Sequence, residues 1–290
     1  MRFSCGMETT GAYFTVDFED FSHDLSRELG LTYTNPREKE LEEAYESIAG
    51  FLQEGEQNSC GTFFCTGIIA KLYPHLLRKL AGDGHEIACH GFYHDDVNKT
   101  PPHVLKDQLR DAKDLLERVS KSEVVGFRAP RFSVATTDMH HLKVIGDIFE
   151  YDSSLHFSDK SQFIEWEQGL DFQFREIPVS RTKLTALPFY VKPGGSYYKL
   201  FPVSLASNAV QAAINSGLPP VLYFHPYDLY TGYSMGLSLD ELSLLPIQTR
   251  MYWFVRQRQW TGAFNWLIPA KLAYLSGKFH NLGALRTLLP

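Results

Sequence analysis

Apolar and polar positions alternate in blocks along the chain. "AYFTV", ending at Asp17, is β-branched and aromatic and reads as a buried strand. "NPREKELEEAYESIAGFLQEG" follows as a helix, opened by Asn35 as cap with Pro36 behind it and closed near Gly55. A strand "CGTFFCTG", a helix "IIAKLYPHLLRKLAGDG" stopped by its glycines and a strand "HEIACH" come next, the last carrying His90 at its end. In "PPHVLKDQLRDAKDLLERVS" the apolar residues Val104, Leu105, Leu109, Ala112, Leu115, Leu116 and Val119 recur at helical spacing. "VVGFRAP" reads as a strand, "TTDMHHLKVIGDI" as a helix and "FEYDSSL" as a strand. Beyond them the order loosens. "REIPVS" and "PPVLYFHP" read as strands, with the Gly/Pro-punctuated "LPFYVKPGGSYYKLFP" between them.

Strand–helix alternation of this kind predicts βαβ units and a parallel sheet. The number of strands suits a closed or nearly closed (β/α) barrel better than an open sheet. In such barrels the chemistry gathers at the C-terminal ends of the strands. The polar residues at those ends are Asp17, Glu19 and Asp20; His90 and His94; Arg128 and Arg131; Asp152, Ser153 and Ser154; and His225. Their common position is the strongest signal in the chain.

The spacing of His90 and His94 in "HGFYH" predicts a helix or helical turn after the strand, with both rings on one side. Two imidazoles and one carboxylate hold a divalent metal and leave positions open for a water and a substrate oxygen. Glu19 or Asp20 supplies the carboxylate. Strand alternation sets Glu19 on the face of Asp17, which favours Glu19. Asp17 is then free to take a proton, and Arg128 is the candidate to hold it as the carboxylate. His225, from the far side of the barrel, would protonate a leaving group. That set predicts hydrolysis of an amide or ester. His23 and Asp24 read as loop residues, His85 as structural, and His140 and His141 as helix positions without a role. "PGGSYY" reads as a turn and not as a phosphate cradle.

Composition narrows the partners. The chain has 290 residues, 44% hydrophobic and 21% charged, which is globular. A net charge of -6 lacks the basic footprint that nucleic-acid binding needs. The N-terminal stretch has no long apolar run and is not expected to be a signal peptide, and no stretch is long enough to span a membrane. Cys5, Cys60, Cys65 and Cys89 form no CxxC pair and read as buried, reduced thiols of a cytoplasmic protein.

The ordered set "FTVDFED", "GTFFCTG", "HEIACHGFYH", "GFRAPRFS", "YDSSL" and "LYFHP" resembles the polysaccharide deacetylases of the NodB-homology type, carbohydrate esterase family 4. Within them it is most similar to the branch whose first motif is D-x-E-D. The resemblance runs from about Tyr13 to Asp228 and implies a deformed (β/α) barrel over residues 1–235. It implies zinc or another divalent transition metal and an acetylated sugar or glycan as substrate. By the same resemblance Asp17 is the catalytic base, His90 and His94 are metal ligands, and Arg128 orients the base. The backbone near Arg131 forms the oxyanion hole, His225 is the catalytic acid and Asp152 holds and tunes it. Phe18 stands where the common motif has its carboxylate ligand, so the metal carboxylate falls to Glu19, with Asp20 as the alternative. Arg131 replaces an aromatic of many relatives and hints at an anionic substrate.

Residues 236–290 are expected to form a helical C-terminal extension. From Arg250 onward it is basic, aromatic and free of acidic residues. It would pack on the barrel or touch an anionic membrane from the cytoplasmic side. The leading expectation is a metal-dependent N-deacetylase acting on a nucleotide-linked, lipid-linked or polymeric glycan precursor. The competing readings are another C–N hydrolase on the same barrel, allantoinase-like or cyclic-imidase-like, and a non-catalytic carbohydrate-binding barrel.

Overall fold

The computed structural model describes residues 10–53, 60–183 and 189–290. Cys5 lies outside them; among the described cysteines Cys65 and Cys89 are buried and Cys60 is partly exposed, all as free thiols. The main sheet consists of β1 (Thr10–Phe18), β2 (Thr62–Cys65), β3 (Glu86–Cys89), β4 (Gly126–Phe127) and β5 (Tyr151–Asp152), with two later strands. Between these lie the short strands β6 (His156–Phe157), β7 (Val179–Ser180), β8 (Thr182–Lys183) and β9 (Tyr190–Val191). The late strands are β10 (Val221–Phe224) and β11 (Phe279–Asn281). The order is β10-β1-β2-β3-β4-β5, with β11 also on β1, and every pairing in it is parallel. Past β5 the sheet curls back through isolated bridges, Asp152 with Glu176 and Gly194 with Tyr223, in place of a regular ladder. The result is a deformed (β/α) barrel.

Both faces of the sheet are covered, as a parallel sheet requires. Alternation along each strand divides the core in two. Phe14, Val16 and Phe18 of β1, with Phe63 and Cys65 of β2, pack outward against the helices. Phe64, Ala88, Tyr151, Val179 and Tyr223 fill the inside of the curl. Thr15 and Asp17 have the alternate parity of β1 and reach the interior, where Arg128 lies.

Four expectations need correction. The helix read over "IIAKLYPHLLRKLAGDG" is two helices, Gly67–Leu72 and Pro74–Gly82, because Pro74 cannot donate to the preceding turn and starts a new helix instead. His23 and Asp24 are not in a loop: they lie on the helix Phe21–Glu28, capped by Asp20. The segment from His90 to His94 is not helical. Gly91 (φ 76°) and His94 (φ 60°) turn it through the left-handed region. Finally, residues 236–290 are not a purely helical appendage. Their helices are followed by β11, which pairs Thr10–Ala12 of β1 with Phe279–Asn281. Beyond β11 the Leu285 N–H donates to Thr62 Oγ1 (2.8 Å) and the Arg286 N–H to Glu86 Oε2 (3.1 Å). The tail finishes the sheet, so a boundary at 235 divides one core.

Candidate metal centre and acid–base pair

Glu19 follows β1, His90 follows β3, and His94 stands on the left-handed turn after it. Their ligand atoms all lie within 4.8 Å of one another, and all three residues are buried. Glu19 Oε2 is 2.5 Å from His94 Nε2 and 3.7 Å from His90 Nε2. His90 Nδ1 is 2.8 Å from the Arg128 carbonyl oxygen. A carbonyl only accepts, so Nδ1 carries a proton, and Nε2 is the ring atom left to face Glu19. His94 Nδ1 faces Asp24 Oδ2 at 3.4 Å. Backing of an imidazole by a carboxylate is the usual support of a metal-binding histidine.

Burial alone would raise the Glu19 carboxyl, but the two imidazoles outweigh it and hold it well below its ordinary value. Burial would lower His94, but Glu19 and Asp24 raise it. Glu19 Oε2, His94 Nδ1 and Asp24 Oδ2 are buried without a hydrogen-bond partner. Two imidazoles and an orphaned carboxylate oxygen converging this closely fit a divalent cation. Asp20 is excluded from this centre. Its Oδ1 accepts from the His23 N–H as helix cap (3.1 Å), and its Oδ2 accepts from the hydroxyls of Tyr73 (2.5 Å) and Tyr33. The reason is its place: one residue beyond Glu19, it has become the N-cap of the next helix.

Asp17 is fixed by Arg128, which is fully buried. Arg128 Nη1 donates to Asp17 Oδ1 (2.7 Å) and Thr15 Oγ1 (2.9 Å), while its Nε and Nη2 donate to the backbone oxygen (3.0 Å) and hydroxyl (2.9 Å) of Ser153. β1 and the residue that follows β5 thus hold one fork in one orientation. His225 Nε2 lies 3.9 Å from Asp17 Oδ2. The other ring nitrogen, Nδ1, donates to Asp228 Oδ2 at 2.8 Å, and the Tyr227 ring stacks on the imidazole at 4.6 Å. Burial by itself would lower the His225 pKa, yet Asp228 above all, with Glu19 and Asp17, lifts it to about 9.

Asp152 therefore does not hold His225, contrary to expectation. Its Oδ1 accepts from the Ser154 hydroxyl (2.5 Å), which itself accepts from the Ala129 N–H (2.7 Å). Across the bridge from Asp152 stands Glu176, whose Oε1 accepts from the Leu155 N–H (2.9 Å). Burial raises Asp152, and it raises Glu176 well above its ordinary value, with the Asp152 charge adding to the effect. Arg131 is half-exposed on the rim in a left-handed turn (φ 53°). Its guanidinium is matched by Asp96 (2.8 Å) and Glu28 (3.5 Å), so its charge is largely answered within the chain.

Sequence reasoning missed Asp24, Asp228 and Glu176. Asp228 had a signal: three residues after His225, with Pro226 opening a helical turn, it sits where a side chain can cap that turn. Asp24 had one too, at the fourth place of a helix that begins at the metal motif. Glu176 had none, because its partner lies across an irregular bridge.

A cavity of about 320 Å³ opens above these groups, lined among others by Glu19, His94, His225, Phe21, Trp253 and Trp260. Such a fold and site define the NodB-homology deacetylases. The comparisons support that family: the polysaccharide deacetylase family model matches residues 26–144, and that of a domain of unknown function, DUF3473, matches residues 155–259. Among curated proteins it is similar to a peptidoglycan deacetylase-like protein of Gibberella zeae, with 24% identity over 210 residues, 71% of this chain and 52% of that protein. It is also similar to a chitooligosaccharide deacetylase of Azorhizobium caulinodans, with 32% identity over 92 residues, 31% of this chain and 44% of that protein. The chain thus spans about half the length of these relatives, or less. Among solved structures, a carbohydrate esterase family 4 pseudoenzyme from Bacillus anthracis shares the fold, with a TM-score of 0.51 and 12% identity over 97% of this chain and 66% of that one.

Proposed function

We propose that this protein is a metal-dependent deacetylase that hydrolyses the N-acetyl group of a sugar in a glycan or glycan precursor. The observation that carries the reading is the 3.9 Å approach of His225 to Asp17 beside the Glu19, His90 and His94 cluster. The acid His225 and two residues of the cation site, Glu19 and His94, line one cavity, with the buried base 3.9 Å from the acid. Glu19, His90 and His94 would hold the cation, zinc by the mixture of nitrogen and oxygen donors. When bound, the cation supplies Lewis-acid polarisation of the acyl oxygen and makes water more acidic.

The chain's own groups do the rest. Asp17, oriented by Arg128, accepts the proton of the attacking water. The water oxygen joins the acetyl carbon and the C–N bond breaks. His225 Nε2 gives its proton to the departing nitrogen, because an amine is too basic to leave unprotonated. Asp228 holds that ring and favours its protonated form. Acetate and the free amino sugar result. Phe21, Tyr227, Trp253 and Trp260 give the cavity an aromatic wall of the kind that covers the apolar face of a sugar ring.

The test is a panel of N-acetylated oligosaccharides, acetylated nucleotide sugars and lipid-linked saccharides, incubated with zinc-loaded protein and read by mass spectrometry. Loss of acetyl from at least one, abolished by chelation, is expected. Hydrolysis of a cyclic imide or ureide with no sugar deacetylated would replace the proposal with the other C–N hydrolase reading.

A further inference from the structure

The helix Ile247–Arg256 crosses the rim of the cavity and has no buried residue. On its inner side Trp253 lines the cavity, and Trp253 and Phe254 pack on the small cluster of Leu25, Leu237 and Leu242. Its outer side is apolar as well. Ile247 is 66% exposed, Met251 45%, Tyr252 57% and Val255 65%, and Leu244, one turn earlier, is 82% exposed. Positions 247, 251 and 255 form a single stripe at helical spacing. Isolated exposed leucines need no explanation, but a contiguous stripe of large side chains marks a contact surface.

The charges around the stripe say what kind. Residues 242–290 hold six Lys and Arg and no Asp or Glu; Lys271 is buried on backbone carbonyls and Arg286 pairs with Glu123, so the charge beside the stripe comes from its own arginines. Arg250, Arg256 and Arg258 flank the stripe, and none of them forms an ion pair among the described residues. Arg256 lies over the Trp260 ring and Arg258 over the Phe254 ring, each at 4.4 Å, and Arg250 Nε is buried without a hydrogen-bond partner. A two-fold dimer through this stripe would set the arginines of both copies along one interface, with like charges facing. An anionic surface with an apolar interior satisfies both features.

We propose that this face of the protein seats on an anionic lipid surface. Ile247, Met251, Tyr252 and Val255 enter the boundary between headgroups and acyl chains, and the arginines lie at the level of the phosphates. The inner side of the same helix carries Trp253, so seating brings the cavity mouth to the lipid. The proposal rests on the outer face alone and holds whatever reaction the cavity performs.

The full chain is sedimented with vesicles of phosphatidylcholine alone and of phosphatidylcholine with phosphatidylglycerol, at low and high salt. Binding to the anionic vesicles is expected, weaker by about tenfold or more on neutral vesicles and at high salt. The double variant Ile247→Glu, Val255→Glu changes two exposed side chains and should keep its circular dichroism, yet lose the anionic vesicles. Three results would each overturn the proposal: no sedimentation of the wild type with anionic vesicles, equal sedimentation of the double variant, or a wild-type dimer that the double variant dissociates while neither binds vesicles.

Discussion

His225 and Asp228 form a closed unit: Nδ1 and the backbone N–H of His225 both donate to the same carboxylate oxygen of Asp228, at 2.8 and 3.0 Å. The unit raises the imidazole pKa to about 9 against its burial. The sign follows from the role. An acid works only while protonated, so activity persists from neutral pH upward and falls as pH rises through about 9. In Asp228→Asn the alkaline limb of the kcat/KM profile should move down toward the ordinary histidine value of 6.5. A limb left in place would show that another group supplies the proton.

Arg128 is a buried cation with all three guanidinium nitrogens donating, and Asp17 is its buried counter-charge. Arg128→Met leaves that carboxylate unpaired. The expected loss in unfolding free energy is about 3–5 kcal/mol, measured by urea denaturation. Arg128→Lys should fold better but still lose activity, because an ammonium cannot span Asp17, Thr15 and Ser153 together.

Asp24 touches no substrate group in the proposed scheme, but it backs His94 at 3.4 Å. Asp24→Ala should weaken zinc affinity by about 10–100-fold, as read by competition with a chromophoric chelator. Asp20→Ala should leave zinc affinity near wild type and lower stability, because Asp20 caps a helix and accepts from two tyrosines. Equal metal loss in both variants would return Asp20 to the metal centre.

Glu176 and Asp152 are buried together, and Asp152 Oδ2 and Glu176 Oε2 have no other hydrogen-bond partner. They fit a pair sharing one proton, with Glu176 as the neutral member. A carboxyl raised by folding stabilises the fold fully below its unfolded pKa and loses that contribution as pH rises through the folded value. Stability should therefore decline with rising pH above the ordinary Glu value of 4.5. Glu176→Gln, which keeps a donor to Asp152, should flatten that decline. Glu176→Ala should cost about 1–3 kcal/mol, because Asp152 Oδ2 is left unsatisfied. Thermal melts across pH compare the three proteins directly.

The barrel was legible because each strand is short, apolar and followed by a polar residue, so topology and site were written in the same places. His90, His94, Asp17 and His225 could be read as strand-end residues of one face. Glu19 followed from the parity of β1. What could not be read depended on geometry between strands. Asp152 was given the His225 role by position in a motif, but the chain turns so that Asp228, three residues along, reaches the ring first. The left-handed turn at His94 replaces the helix that its spacing implied, since Gly91 and His94 reach the cluster by positive φ. The tail read as an appendage because its helices dominate the pattern. The strand Phe279–Asn281 is three residues long and carries no alternation of its own.

The central claim is that Asp17 does the proton chemistry while Glu19, His90 and His94 hold the cation. The most direct measurement is acetate release by Asp17→Asn, alongside its zinc content, on whichever acetylated saccharide the wild type turns over. The account predicts wild-type zinc and a rate lower by about a hundredfold to ten-thousandfold. Near wild-type turnover, or loss of zinc together with activity, would contradict it.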